Sequence, residues 1–359
     1  MKSVHSFLVI SILLAGVLTP AFGQTPTPTP TPTPIPIEMV TLPAGTFTMG
    51  RRDDGEDELY GASDELPRHQ VALTAYQIGK YEVTNAEYAE VLNWARGKQY
   101  LKDSNGQFYP GGDVYANGQA LLYITDPTCQ ISYSNGVFVC ENRQGYPMAD
   151  HPVVDVIWYG SVAFCNWLSE KEGRTPCYTL ANDNWELTNP FGGGYRLPSE
   201  AEWERAAAWD GSKHWIYGFR SDTLTGKNRC NYRDVNPLGL SSYPYNSPVG
   251  WFNGTNVNPN GDIQTVNSPS PVGCYDMSGN VWEWCEDRYH TSYIGAPTDG
   301  SAWLVQQSDN RVIRGGFWYS DDGDCRSASR GSSDPTDAVL AFGFRLARTA
   351  DESIQPSAL

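Results

Sequence analysis

Residues 271–287 pack two tryptophans, one tyrosine, two cysteines and four acidic residues around Ser278-Gly279-Asn280. Ser-Gly-Asn reads as a tight turn, because Gly and Asn tolerate positive φ. Val281-Trp-Glu-Trp-Cys285 then alternates. In an extended strand Trp282 and Trp284 share one face, and Val281, Glu283 and Cys285 the other. Two indoles require a core to enter. A carboxylate between them requires a partner, since an unpaired buried charge is costly. A bound cation and an arginine both meet that need, and the stretch alone leaves both open.

The ends of the chain read differently. Residues 1–23 carry Lys2, an apolar run from Phe7 to Leu18 and small residues before Gln24. That pattern is a secretory signal peptide, which makes the mature protein secreted or otherwise extracytoplasmic. No later apolar run is long enough to span a membrane. Residues 24–36 form a Thr/Pro-rich linker. Alternate prolines favour polyproline II, giving a spacer of roughly 35–40 Å. The globular part is expected over 37–349, with a tail at 350–359.

Aromatic residues make up 13% of the chain, beside 35 glycines and 25 prolines. Much aromatic core with many turns points to one α+β domain, irregular and loop-rich, with few short helices and short antiparallel strands. The net charge of −16 disfavours nucleic acid or an anionic membrane as partner. Arg51–Glu65 carries seven carboxylates and reads as a solvated loop. Eight cysteines in an exported chain imply disulfides. Cys129 and Cys140 flank a hairpin turning at Ser134-Asn135-Gly136, so a bridge across it is expected. The Cys and His spacings do not fit zinc.

Further along, Met39–Gly50 reads as two short strands, and Gln70–Val83 as a hairpin turning at Gly79-Lys80. Thr84-Asn-Ala-Glu87 is a capping box opening a helix to about Arg96, closed by Gly97. His151–Trp158 reads as a strand and Ser161–Glu172 as a helix. Ser199-Glu-Ala-Glu202 caps a helix over Glu200–Ala208. Arg311–Tyr319 and Phe342–Arg348 read as core strands.

Several of these segments together resemble the sulfatase-modifying-factor family, whose best-known members are formylglycine-generating enzymes. The resemblance spans residues 38–348. It rests on Val40–Gly50, Glu82-Val-Thr-Asn85, His151-Pro-Val-Val154, Tyr195–Glu204, Gly279–Trp284, Arg314-Gly-Gly316 and Gly343-Phe-Arg345. It implies the formylglycine-generating-enzyme fold, related to C-type lectins. It also implies bound calcium, with Asp276, Gly279, Asn280, Val281 and Glu283 as one ligand set and Asn231 and Tyr232 in a second. The implied chemistry is copper-dependent oxidation of a substrate cysteine to formylglycine, with Cu(I) held by two thiolates. Soft Cu(I) prefers thiolates.

The chain departs from the family at that point. Counted forward from Arg314, Ser320 takes the place of the first cysteine and Cys325 that of the second, and Phe317 replaces the motif serine. The loop to Ala328-Ser-Arg330 is also shorter. A serine hydroxyl is a poor Cu(I) ligand, and Asp321, Asp322 and Asp324 disfavour a thiolate at Cys325. A structural disulfide is the expected state of Cys325. Two functions follow. One is the family oxidase acting on a protein substrate. The other is a non-catalytic, calcium-stabilised, lectin-like module binding a glycan or protein, with Trp215, Tyr217, Tyr243, Tyr245, Trp251 and Phe252 as candidate stacking residues. The sequence does not fix the oligomeric state.

Overall fold

The computed structural model describes residues 36–350 except 182–183. The expected signal peptide, nearly all of the Thr/Pro linker and residues 351–359 lie outside the described residues.

A four-stranded sheet sits at the centre, in the order Arg330–Ser333, Arg311–Arg314, Trp282–Arg288, Phe342–Gly343. The first three strands are antiparallel and the last is parallel to its neighbour. The strand Trp282–Arg288 is buried on both faces, and its alternation decides what each face meets. Trp284 enters one apolar cluster with Tyr88, Trp158, Phe164 and Phe344. Cys285 enters another with Phe47, Trp203 and Met277. The two central indoles are satisfied on backbone: Trp284 Nε1 donates to Val156 O at 3.2 Å and Trp158 Nε1 to Cys285 O at 3.0 Å. Burying an aromatic side chain of this size is worth about 1.5–3 kcal/mol.

A second sheet, Met39–Leu42, Tyr76–Gly79 and Ala347–Thr349, joins the two ends of the described chain. Around these sheets pack four helices, α1 (Gly55–Tyr60), α2 (Asn85–Gly97), α3 (Trp158–Lys171) and α4 (Glu200–Ala208). Both expected capping boxes form, Thr84 with Glu87 and Ser199 with Glu202. No helix among the described residues is long and apolar enough to cross a membrane.

Several expectations are corrected. Met39–Gly50 gives the two expected strands, Met39–Leu42 and Gly45–Met49, but they do not pair with each other, and Gln70–Val83 does not form a hairpin turning at Gly79-Lys80. Gly45–Met49 pairs with His69–Leu73, and Met39–Leu42 with Tyr76–Gly79. The stretch 151–157 makes only isolated bridges at Pro152 and Val156, and the left-handed φ of 59° at Asp155 interrupts any strand. Gly97 ends inside α2, and Gln99, at φ 65°, makes the turn away. Of Arg311–Tyr319 only Arg311–Arg314 is strand, because Gly315 and Gly316 turn the chain at positive φ. Phe342–Arg348 is likewise divided, into Phe342–Gly343 and a part of Ala347–Thr349.

The acidic run 51–65 is not a solvated loop. It folds into α1 and a 3₁₀ turn at Ser63–Glu65, with Asp57 and Glu65 fully buried. Arg326 explains this: its guanidinium reaches Asp57 Oδ1 at 2.8 Å and Glu65 Oε1 at 2.6 Å.

The eight cysteines are free thiols. The hairpin Ile131–Ser134/Val137–Cys140 forms as expected, but its register sets Ile131, not Cys129, opposite Cys140. Cys129 is thus the diagonal neighbour. Diagonal positions lie roughly 7–8 Å apart, beyond what a disulfide spans without backbone movement.

Candidate functional site

The loop that follows Arg314 is built against the 276–284 stretch. Trp318 N donates to Asn280 O at 3.0 Å, and Ser278 Oγ donates to Cys325 O at 2.7 Å. Gly316 is required here. A Cβ at this residue would lie 3.0 Å from Cys325 Sγ. The loop therefore closes directly over the thiol.

Cys325 is fully buried with Cys230, Ile216, Tyr217, Phe219 and Leu224. Burial pushes its thiol well above the usual range, and Cys230, Asp324, Asp322 and Asp321 push the same way. Cys230, 3% exposed, is raised by burial and by Asp276. Cys325 thus has a cysteine neighbour from a distant loop, yet both thiols sit in an apolar cluster. The expected disulfide at Cys325 is absent, because both are free. Ser320, 2% exposed, is used structurally: its Oγ accepts from Phe317 N at 3.2 Å, and its carbonyl accepts from Arg233 N at 3.0 Å.

Outside this buried thiol the loop presents aromatic rings. Tyr243 stacks on Trp318 at 5.0 Å between centroids, Tyr245 meets Trp318 edge-on at 5.2 Å, and Tyr319 lies 6.2 Å from Tyr243. Tyr243 and Tyr319 are each almost half exposed, while Trp318 is 3% exposed and its Nε1 lacks a partner. An open cleft of about 450 Å³ runs beside them, lined by Lys227, Asp234, Asn236, Tyr245, Trp318 and Tyr319. Arg233 lies over the Tyr319 ring at 5.4 Å and pairs with Asp321 at 2.5 Å. Being about half exposed, that ion pair contributes little beyond orienting the ring. Of the other candidate stacking residues, Tyr217 and Phe252 are core, and Trp215 and Trp251 are half-buried. Sequence reasoning did not single out Trp318 and Tyr319 as stacking residues. Their signal was the unbroken aromatic triplet Phe317-Trp-Tyr319.

The residues implied as cation ligands are brought together behind this loop. The two carboxylate oxygens of Glu283 are bound by Arg345, Oε2 from Nε at 2.5 Å and Oε1 from Nη2 at 2.6 Å, and Trp203 Nε1 donates to Oε2 at 2.8 Å. Asn280 Oδ1 accepts from Ser247 N at 2.9 Å, which turns its Nδ2 toward Glu82 Oε1 at 3.0 Å. Asn231 O accepts from Asn280 N, Tyr232 O accepts from Val235 N, and Gly279 packs so closely that a Cβ there would lie 2.1 Å from Asn231 O. Asp276 Oδ2 accepts from Gly250 N at 2.6 Å. Burial raises the Asp276 carboxyl to about 6 against the pull of that N–H and of Arg345. Two buried oxygens in this region have no partner, Glu82 Oε2 and Asn231 Oδ1. Glu82 was visible only as part of a motif, with nothing in the sequence to mark its carboxylate as unpaired. Among the described residues, no three His, Cys, Asp or Glu side chains are grouped to hold a metal.

A separate apolar pocket of about 140 Å³ lies beyond Leu73, Leu197 and Phe191. Its charged floor is self-satisfied, since Arg196 holds Glu202 through two bonds of 2.6 and 2.7 Å.

Comparison with known proteins places these features. A model of the sulfatase-modifying factor enzyme 1-like domain matches residues 24–350. The formylglycine-generating enzyme of Streptomyces coelicolor is 29% identical over 333 residues, covering 87% of this chain and 89% of that enzyme. The serine/threonine-protein kinase pkn1 of Chlamydia pneumoniae is 30% identical over 313 residues, 87% of this chain. The chain spans 38% of that kinase's length. Among solved structures, PvdO from Pseudomonas aeruginosa superposes with a TM-score of 0.56 at 27% identity, covering 87% of this chain and 94% of PvdO.

Proposed function

The chain belongs to the sulfatase-modifying-factor family, and from that premise we propose that it is an exported binding member of the family rather than a cysteine oxidase. One observation carries the reading. The thiol nearest the family's catalytic position, Cys325, is fully buried, and burial with its acidic neighbours raises it well above the usual thiol range. A thiol with no exposed surface is not presented to a substrate cysteine, and burial disfavours the thiolate that a soft metal requires. Ser320 supplies no second thiolate, and its hydroxyl is engaged by the loop backbone.

What the loop offers instead is recognition. Tyr245, Trp318 and the exposed ring of Tyr319 line a cleft edged by Lys227, Asp234 and Asn236, and the exposed ring of Tyr243 packs against all three aromatics. Aromatic faces suit the apolar faces of sugar rings, and the polar edge suits hydroxyls, so a glycan is the ligand this cleft fits; a protein ligand is the second candidate. The signal peptide and Thr/Pro spacer favour display outside the cytoplasm. The oxidase reading keeps one supporting observation, that Cys230 packs in the same cluster as Cys325.

Two assays separate the readings. Purified protein is incubated with Cu(I), oxygen and a peptide bearing a sulfatase cysteine motif, and is also applied to a glycan array. Binding without aldehyde formation is expected. Aldehyde formation that is lost in Cys325→Ser would overturn the proposal.

A further inference from the structure

The apolar pocket beyond Leu73 is a preformed cavity with an uneven charge. Its outer wall is the loop 299–304, and three hydrogen bonds hold that loop in place. Ala72 N donates to Thr298 O at 2.8 Å, Ser199 Oγ to Gly300 O at 2.8 Å, and Trp303 N to Asp287 Oδ1 at 2.7 Å. Gly300, at φ 78°, lets the loop close on Leu73, since a Cβ there would lie 2.8 Å from Leu73 Cγ. Leu73, Leu187, Pro190, Phe191, Leu197 and Leu304 line the space, about 140 Å³ in all. An engineered apolar cavity of about 150 Å³ stays dry and holds benzene, so a single ring is the size that fits. Phe191, 65% exposed, leaves an aromatic face uncovered at the lip.

Four charged side chains line the same pocket, and three of them are carboxylates. Arg196 and Glu202 cancel through their two bonds. Glu286 is less well served, because Arg311 Nη1 stands 3.7 Å from its Oε1 and donates instead to the Glu286 carbonyl at 2.6 Å. Burial pushes this carboxyl up, with Arg311 and the Tyr178 hydroxyl pulling against it. Asp299 is exposed at the solvent side of the pocket. Ser301 donates to its Oδ1 from Oγ at 2.6 Å and from N at 3.0 Å, which holds the carboxyl below the usual range. Asp299 therefore stays ionised, with no cation beside it among the described residues.

We infer that this pocket binds a compact hydrophobic amine of the arylalkylamine class, with its ring between Leu187, Leu197 and Phe191 and its ammonium at Asp299. Apolar walls with a few placed polar groups are the usual make-up of a small-molecule site. The walls select one ring, and three carboxylates against one guanidinium select a positive charge over a negative one. An ammonium at the exposed Asp299 keeps its contact with water, so it escapes the cost of burying a charge. The inference stands on these residues alone and does not depend on the ligand of the aromatic cleft.

The test titrates the whole chain with 2-phenylethylamine, 2-phenylethanol and phenylacetate at pH 7, followed by ligand-observed NMR. The three probes share a ring and differ in charge. The amine is expected to bind tightest, roughly two- to fivefold tighter than the alcohol, as an exposed ion pair allows, and phenylacetate weakest. Asp299→Asn, which keeps an acceptor for Ser301, should bring the amine down to the alcohol. Ala302→Phe, at a half-buried position of the pocket wall, fills the space and should abolish binding of both. Should a variant not fold, hydrogen exchange on the wild type reads the site directly, and the amine should slow exchange over 299–304. An amine that binds no tighter than the alcohol, or that binds Ala302→Phe as it binds the wild type, would overturn the assignment. So would the absence of binding by all three probes, or amine binding that leaves exchange over 299–304 unchanged.

Discussion

Arg345 grips Glu283 through two parallel hydrogen bonds, at 2.5 and 2.6 Å, in a place where neither side chain reaches water. The pair joins the strand Trp282–Arg288 to the C-terminal segment, and Trp203 of α4 leans on the same carboxylate. Removing one partner strands the other charge in the core. Arg345→Met is therefore expected to cost about 3–5 kcal/mol in urea unfolding. The double change Arg345→Met with Glu283→Gln keeps an acceptor for Trp203 and removes the stranded charge, so it should recover about 1–2 kcal/mol of that loss. A double variant no more stable than the single one would show that packing by Arg345, not charge pairing, is what matters.

Glu204 predicts an acid limb. It is fully buried, and burial alone would raise its carboxyl. His214, Arg314 and the N–H of Gly50 outweigh this and hold it down at about 2. A folded value below the unfolded one means that the unfolded chain binds the proton more readily. The stabilisation is thus complete above the unfolded value of about 4.5 and is lost as pH falls toward 2. The expected loss is about 3 kcal/mol across that window. Glu204→Gln should lower stability at pH 7, because Arg314 loses its closest carboxylate, and should flatten the decline between pH 4.5 and 2. Chemical unfolding at stepped pH measures both. An unchanged acid slope in the variant would remove Glu204 from the account.

Thiol reactivity follows burial. Cys140 is the half-exposed cysteine, and the other seven are buried. Burial raises Cys140 to about 11 and Cys129 to about 12, and Cys325 well above its ordinary value. With the reduced, folded protein, a thiol reagent should therefore modify Cys140 first and slowly, and Cys325 only after denaturant is added. Peptide mapping identifies the labelled site. Early labelling of Cys325 would reopen the oxidase reading.

What the sequence revealed was local. The capping boxes of α2 and α4 rest on side chains three residues apart, and both form as read. The two faces of Trp282–Cys285 were legible because strand alternation is geometric. The register of the hairpin at 131–140 was not, and a slip of two positions separates Cys129 from Cys140. Pairings across long separations were also hidden. The carboxylates at 57 and 65 look like solvent-facing charge until Arg326, more than 260 residues away, is seen to collect them. The cation question shows the same limit. Sequence offered a cation or an arginine for Glu283, and only the return of Arg345 from the far end of the chain supplies the arginine.

The aromatic cleft yields the last prediction. Trp318 is nearly buried and supports Tyr243 and Tyr245, so its removal would damage the loop itself. Tyr319 is 46% exposed and has no side-chain hydrogen bond among those described; its contacts are rings and the guanidinium of Arg233. Tyr319→Ala should then leave the melting temperature within about 1–2 °C of the wild type, as an exposed substitution does. Loss of one stacking face is worth about 0.5–1.5 kcal/mol, so affinity for a bound glycan should fall roughly three- to tenfold. Titration by tryptophan fluorescence, with Trp318 as the reporter beneath the cleft, measures this directly. An affinity unchanged in Tyr319→Ala and in Tyr243→Ala would move the binding surface away from this loop.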